Sequence, residues 1–199
     1  MKNKIDTKKL EQAMTLLIEA IGDDPTRPGL AETPARAAKM FEEMFEGQQY
    51  TNSQIAEMFN KCFDNIVAEG NDVPHSNDWV LVKNINLFSF CEHHFALMYN
   101  MQAHIAYKPT TKVIGISKIA RIANMVGKRL QLQERIGSDI SDVLQKILDT
   151  PDIMVIIEGE HSCMTARGIR AQESKTRTCH TSGIFKTDSN LRQEVFGSI

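Results

Sequence analysis

The hydrophobic period of this chain first changes near Trp79, and that change constrains the fold more than any other feature. Before it, apolar residues recur at helical spacing. Leu10, Met14, Leu17, Ile18 and Ile21 form one series, and Ala37, Met40, Phe41, Met44 and Phe45 a second. After it the period moves toward two. In residues 97–107, Met101, Ala103, Ile105 and Tyr107 share one face of a strand, while Gln102 and His104 share the other. Helices first, then antiparallel strands around a second pair of helices, predict an α+β fold.

Turn and cap residues set the expected boundaries. The first helix stops near Gly22-Asp23-Asp24-Pro25, and residues 25–30 read as a loop on their Pro and Gly content. Thr33 is expected to cap the next helix, with Pro34 at its first position and Gly47 closing it. A third helix is expected over about 53–63, which makes Cys62, between Phe59 and Phe63, a core thiol. Residues 68–78 read as a loop, so residues 1–70 form an N-terminal helical region and residues 71–199 the strand-bearing domain. Strands over 79–90 and 97–107 should pair around a turn at Cys91, leaving His104 on the solvent side or at an interface. A turn at 108–111 and a short strand over 113–116 follow. Ser117 then caps a helix to about Leu130, and another helix runs from about Gln133 to Leu148. Strands over 153–163 and roughly 165–186, and a short helix over 190–196, complete the expected order.

Composition matters here for what it excludes. With 199 residues and 42% hydrophobic content, the chain can bury a core of its own. It has no apolar run long enough to span a bilayer, and its charged start lacks the apolar stretch of a secretory signal. Four cysteines at irregular spacing do not look like a disulfide framework, so a soluble, cytoplasmic protein with reduced thiols is expected. A net charge of -2 gives no support to a broad nucleic-acid or membrane surface. An anionic ligand must therefore be met by a local cluster of cations.

The chemistry concentrates in Cys91-Glu92-His93-His94 and His161-Ser162-Cys163. Together they offer two thiolates and an imidazole for one zinc ion, with two further histidines beside it. Three protein ligands leave a tetrahedral zinc one open position, the arrangement of a catalytic site, where a water can have its pKa lowered to about 7. His161 and Cys163, two apart on an expected strand, would share a face; Cys91 and His94, three apart, converge only if the chain turns between them. Two plainer readings stand beside this one. Buried cysteines are common as small apolar residues, and a purely structural zinc would take a fourth ligand from Cys179, His180 or His104.

Lys118 and Arg121 share a face at the expected start of a helix, where backbone N–H groups favour anions. With Arg167, Arg170, Lys175 and Arg177 they can hold a triphosphate, or they are solvated surface charge. Glu134 can accept the N1–H and 2-amino hydrogens of a guanine edge, a donor pair that adenine lacks, or it is simply an acid in the first turn of a helix.

Taken together, these residues resemble the GTP cyclohydrolase I family. The matching stretches are Glu32-Thr33-Pro34 with Arg36, Cys91-Glu92-His93-His94, Ala106-Tyr107, Gly115-Ile116-Ser117-Lys118-Ile119-Ala120-Arg121, Gln131-Leu132-Gln133-Glu134-Arg135, His161-Ser162-Cys163 and Ala166-Arg167-Gly168-Ile169-Arg170. Their order covers the chain from about residue 10 to its end. The resemblance implies the tunnelling fold, with an antiparallel sheet carrying helices on one side and the sheets of several subunits joining into a barrel. It implies a decamer of two pentamers with its sites at subunit interfaces. It also implies Cys91, His94 and Cys163 as zinc ligands, His93, His161 and Ser117 as catalytic residues, and Lys118, Arg121, Gln133, Glu134 and Arg167 as substrate contacts. The implied reaction is zinc-dependent hydrolysis and rearrangement of GTP to 7,8-dihydroneopterin triphosphate and formate, the first step toward folate-type pterins. Two stretches depart from the family pattern: residues 95–100, where many members carry a Pro and a Gly, and residues 48–78, which offer no phosphate-binding Lys that can be placed. A fold relative that reduces a nitrile with NADPH would need a nucleophilic cysteine, but not His93, His94 and Cys163.

Overall fold

Helix α1 (Thr7–Ala20) opens on Asp6, whose carboxylate accepts the Lys9 backbone N–H at 3.1 Å. The computed structural model describes residues 4–64 and 78–199, and its backbone contacts divide into two units, Met1–Tyr50 and Thr51–Ile199. The expected division at residue 70, and all of the expected 68–78 loop but Asp78, lie outside the described residues. In the first unit α1 packs on α2 (Thr33–Met44), which is followed by a 3-10 turn, Glu46–Gln49. Thr33 is the first residue of α2 and not its cap. Glu32 holds that place without a side-chain cap and instead pairs with Arg36 at 2.8 Å. The helix ends at Met44, and Gly47 lies in the 3-10 turn beyond it.

In the second unit α3 (Asn52–Phe59) starts on a reciprocal cap between Thr51 and Gln54. It stops four residues short of the expected helix, because Asn60 leaves helical geometry and Cys62 and Phe63 enter strand β1 (Cys62–Asp64). Cys62 is therefore a half-buried strand residue, 3.8 Å from the Ile147 carbonyl, and not a helical core thiol. The main sheet uses β2 (Val80–Cys91) and β3 (Ala96–Tyr107), while β4 (Lys112–Ile114) pairs with β1. Helix α4 (Ile116–Gly127) begins on Gly115, with Ser117 inside its first turn and not at the cap. It stops before Leu130 because β5 (Leu130–Gln131) lies parallel to the end of β2. Helix α5 (Gln133–Leu148), strand β6 (Ile153–His161), the helical turn α6 (Ser162–Thr165), strand β7 (Thr176–Thr181), the short α7 (Ile184–Thr187) and α8 (Ser189–Gly197) complete the unit.

Among the described residues the main sheet has the order β5-β2-β3-β6-β7, antiparallel except at β2–β5, so it is mixed and not purely antiparallel. Helices cover both faces, not one. Ile153 to Ile157 are all buried, so β6 is apolar on both sides and needs cover on both. Helix α5 packs on β6 and β7 with Ile136, Ile140, Val143 and Leu144 buried. On the opposite side Phe185 and Val195 close over Ala106, Met154 and Ile156. His104 lies in that second layer at 3% exposure, so it is not on the solvent side; the sheet and the C-terminal helices bury it where period alone placed it outside. Helix α4 runs alongside β2. A Cβ on Gly127 would stand 2.9 Å from the Phe88 carbonyl oxygen, so this close approach requires glycine.

Candidate active site

Cys91 ends β2 and is 6% exposed, with Ala96 opposite on β3 and Gln131 opposite on β5. Residues Glu92 to Phe95 form the turn that leads into β3, and all four are exposed. Two contacts hold the base of this turn. The Glu92 N–H donates to the Gln131 carbonyl at 3.1 Å, and the Glu92 carboxylate takes a two-pronged bond from Arg135 at 2.7 and 3.0 Å. That guanidinium holds the Glu92 carboxyl below the usual carboxylate range. Phe95 adopts a φ of 53° and sets its ring 5.6 Å from that of Phe90. His93 and His94 ride on this turn.

His161 ends β6 opposite Met98. Its Nε2 lies 2.8 Å from Gln133 Oε1. The orientation of that amide follows from its other partners. Gln133 Nε2 donates to the carbonyls of Ile157 and Thr176, each at 3.0 Å, so Oε1 is the end that meets His161 and can only accept. His161 Nε2 therefore carries the hydrogen, and in the neutral ring Nδ1 keeps the lone pair. Burial pushes the His161 pKa down, against the opposing pull of the Glu134 carboxylate. Gln133 is 1% exposed, so its side chain is committed to β6, β7 and His161, while the next residue, Glu134, is exposed in the first turn of α5.

Cys163 does not continue β6. The strand ends at His161 and the chain coils into α6, so the two residues do not share a strand face. Thr165 anchors that coil, with its hydroxyl 2.8 Å from the Tyr99 hydroxyl. Carried two residues past the His161–Met98 pair, the strand register would bring position 163 level with Ala96, the neighbour of Cys91. The two thiols thus belong to the same end of the sheet, Cys91 as the last residue of β2 and Cys163 in the coil just beyond β6. Among the described residues no three of His, Cys, Asp and Glu are gathered closely enough to hold a metal ion. The donor chemistry nonetheless suits zinc: two soft thiols and an imidazole on an exposed turn at one sheet end. Cys179 and His180 pair with Ile156 and Val155, five or more residues back along β6 from His161, about 17 Å or more. His104 is level with Ile156 as well, so none of the three candidate fourth ligands joins this end.

The expected substrate contacts divide between two places. Glu134 stands beside His161, and Arg167 follows α6 on exposed backbone. Ser117, Lys118 and Arg121 occupy the first turns of α4. Helix α4 runs in the same direction as β2, with Asn124 near Asn86 and Gly127 near Phe88. Ser117 therefore lies ten residues, about 15 Å, back from the Gly127 contact and away from Cys91. One chain does not bring these cations to the Cys91 end. Sequence reasoning named Gln131 within the Gln131–Arg135 stretch but gave it no role, and it passed over β5, whose local signal is an extended dipeptide ahead of the α5 start.

A family model described as GTP cyclohydrolase I matches residues 10–199. Among curated relatives, GTP cyclohydrolase 1 of Ruminiclostridium cellulolyticum is 57% identical over 192 residues, 96% of each chain. A protein of the same name from Clostridium botulinum is 56% identical over 185 residues, 92% of each chain. Another from Clostridium acetobutylicum is 52% identical over 187 residues, 94% of each. With the match running from the first helix to the last residue, the chain belongs to the GTP cyclohydrolase I family of enzymes.

Proposed function

We propose that this chain hydrolyses and rearranges GTP to 7,8-dihydroneopterin triphosphate and formate, the entry to folate-type pterins, in the cytoplasm. The observation that carries this reading is the His161–Gln133 bond beside Glu134: a histidine of fixed tautomer next to a carboxylate free to meet a purine edge. Cys91, His94 and Cys163 would hold zinc, which supplies a Lewis acid and a water of lowered pKa.

The chain's own groups have separable tasks. Glu134 accepts the N1–H and 2-amino hydrogens of guanine, and adenine, lacking that pair, would leave the carboxylate unmatched. Gln133 acts beneath the substrate by keeping the hydrogen on His161 Nε2. His161 Nδ1 is then the atom that takes or gives a proton at the opening imidazole ring. The lowered pKa of His161 keeps it neutral, and so able to accept, near pH 7. His93 on the turn is the second proton carrier, and Ser117 serves the later ribose rearrangement. Arg167, Lys118 and Arg121 bind phosphate and ribose oxygens. Because Ser117, Lys118 and Arg121 sit away from Cys91 on one chain, they would complete the site of another copy, which supports a homo-oligomer, a decamer of two pentamers by family resemblance.

The test is incubation of the purified, zinc-loaded protein with GTP while formate and dihydropterin absorbance are followed. Both signals should appear, vanish with a chelator and return with zinc. Formate without the pterin would point to an enzyme that stops after ring opening; neither signal would refute the assignment.

A further inference from the structure

Gln131 carries a buried side-chain oxygen that nothing among the described residues satisfies. The residue is 1% exposed, and its Oε1 has no hydrogen-bond partner among the described residues. The amide orientation is not arbitrary: Nε2 donates to Asp139 Oδ2 at 2.9 Å, a carboxylate that only accepts, so Oε1 is the end turned away. Asp139 is held in turn by Arg129 at 3.1 Å and by Asn52 at 3.2 Å, and Arg129 also reaches Asn52 Oδ1 at 2.9 Å. A buried acceptor left without a donor is costly, and here a sheltered polar chain holds it in place.

Its position suggests the missing donor. Gln131 pairs in parallel register with Cys91, and its carbonyl receives the Glu92 N–H. In-register neighbours leave a sheet on the same face, so the oxygen rises beside the Cys91 side chain at the root of the turn that bears His94. An imidazole that ligates a metal through one nitrogen has one N–H left, and that N–H is almost always given to an acceptor. We infer that Gln131 is a positioning residue for the metal: its Oε1 receives the free ring N–H of His94 when Cys91, His94 and Cys163 are gathered around the ion. The Asn52–Arg129–Asp139 chain keeps that oxygen aimed, and the bond fixes which His94 nitrogen faces the ion. The inference rests on the metal ligation proposed above and adds a residue which that ligation does not use.

The experiment compares the parent chain with Gln131→Leu and with Gln131→Glu. Zinc affinity is read by competition with a chromophoric chelator, and ligand geometry by the visible spectrum of the cobalt(II) form. Gln131→Leu should keep the parent circular dichroism yet bind zinc about 10–100-fold more weakly, with shifted cobalt bands. Two adjoining sheltered carboxyls cannot both ionise, so the protonated carboxyl of Gln131→Glu donates to Asp139 Oδ2 while Arg129 and Asn52 keep their bonds to Asp139, and its second oxygen stays toward His94. That variant should recover most of the affinity, and it decides the matter if the leucine variant does not fold. Parent affinity and an unchanged cobalt spectrum in folded Gln131→Leu would overturn the inference. So would a Gln131→Glu variant that folds but binds as weakly as one lacking the oxygen. If the parent itself binds no ion, or Cys163→Ser binds as tightly as the parent, the ligation reading fails and the inference falls with it.

Discussion

The two sides of the Cys91 end of the sheet are built differently. On one side His161 sits at the end of a strand, its Nε2 held by a buried glutamine that is itself bonded to two backbone carbonyls. On the other side His93 and His94 lie on a four-residue turn that is exposed throughout, with Glu92 and the Phe90–Phe95 ring contact holding its base. The side proposed to handle protons is thus set by contacts within one chain. The side that carries the proposed ligands is not closed, and Cys163 is displaced from the strand line by α6. Rigid elements hold a group in one geometry before any ligand arrives, whereas an exposed turn takes its geometry from what binds it.

Substitutions can break this comparison. The largest effect is expected for Cys163→Ser, which should lose both bound zinc and turnover, as judged by metal analysis and formate release. A metal-replete, active variant would show that α6 holds no ligand. His161→Ala comes next. It should retain zinc while the rate falls by about 10²–10⁴, and loss of zinc as well would mean the two sides are not separate. The smallest effect is on stability. Burial pushes the pKa of His104, His161 and His180 down from the ordinary 6.5. Each stays neutral in the fold at pH values where the unfolded chain is protonated, so the unfolded state binds more protons and stability rises with pH. The fold should therefore lose stability as the pH falls from about 6.5 through those lowered values, and the loss should be absent above that window. Thermal melts at pH 5 and 7.5 provide the check, and His104→Gln should flatten the difference in part.

The periodic elements were legible in the sequence because period and capping are local. Helix α5 and the β2–β3 hairpin lie within a residue or two of where the apolar spacing predicts them, and the C-terminal helix likewise. The misreadings arose where a distant segment overrides a local preference. Cys62 and Phe63 continue a helical pattern but pair with Val113 and Ile114. The end of the expected α4 helix becomes β5 because β2 offers an edge. His104 falls on the polar face by period, yet α7 and α8 return from the end of the chain to cover that face.

The proposed site divides in the same way. The sequence alone determined which residue types could carry the chemistry, since thiol, imidazole, carboxylate and guanidinium are properties of side chains and their order marks the family. Tertiary structure decided who meets whom. The register of β3 against β6 places His161 level with Met98, and the α5 start brings Gln133 beneath it. The direction of α4 carries Lys118 and Arg121 away from Cys91, and β5 brings Gln131 and its unmatched oxygen beside that thiol. The physical reason is that period and caps act over a few residues, whereas strand pairing and burial join residues from opposite ends of the chain.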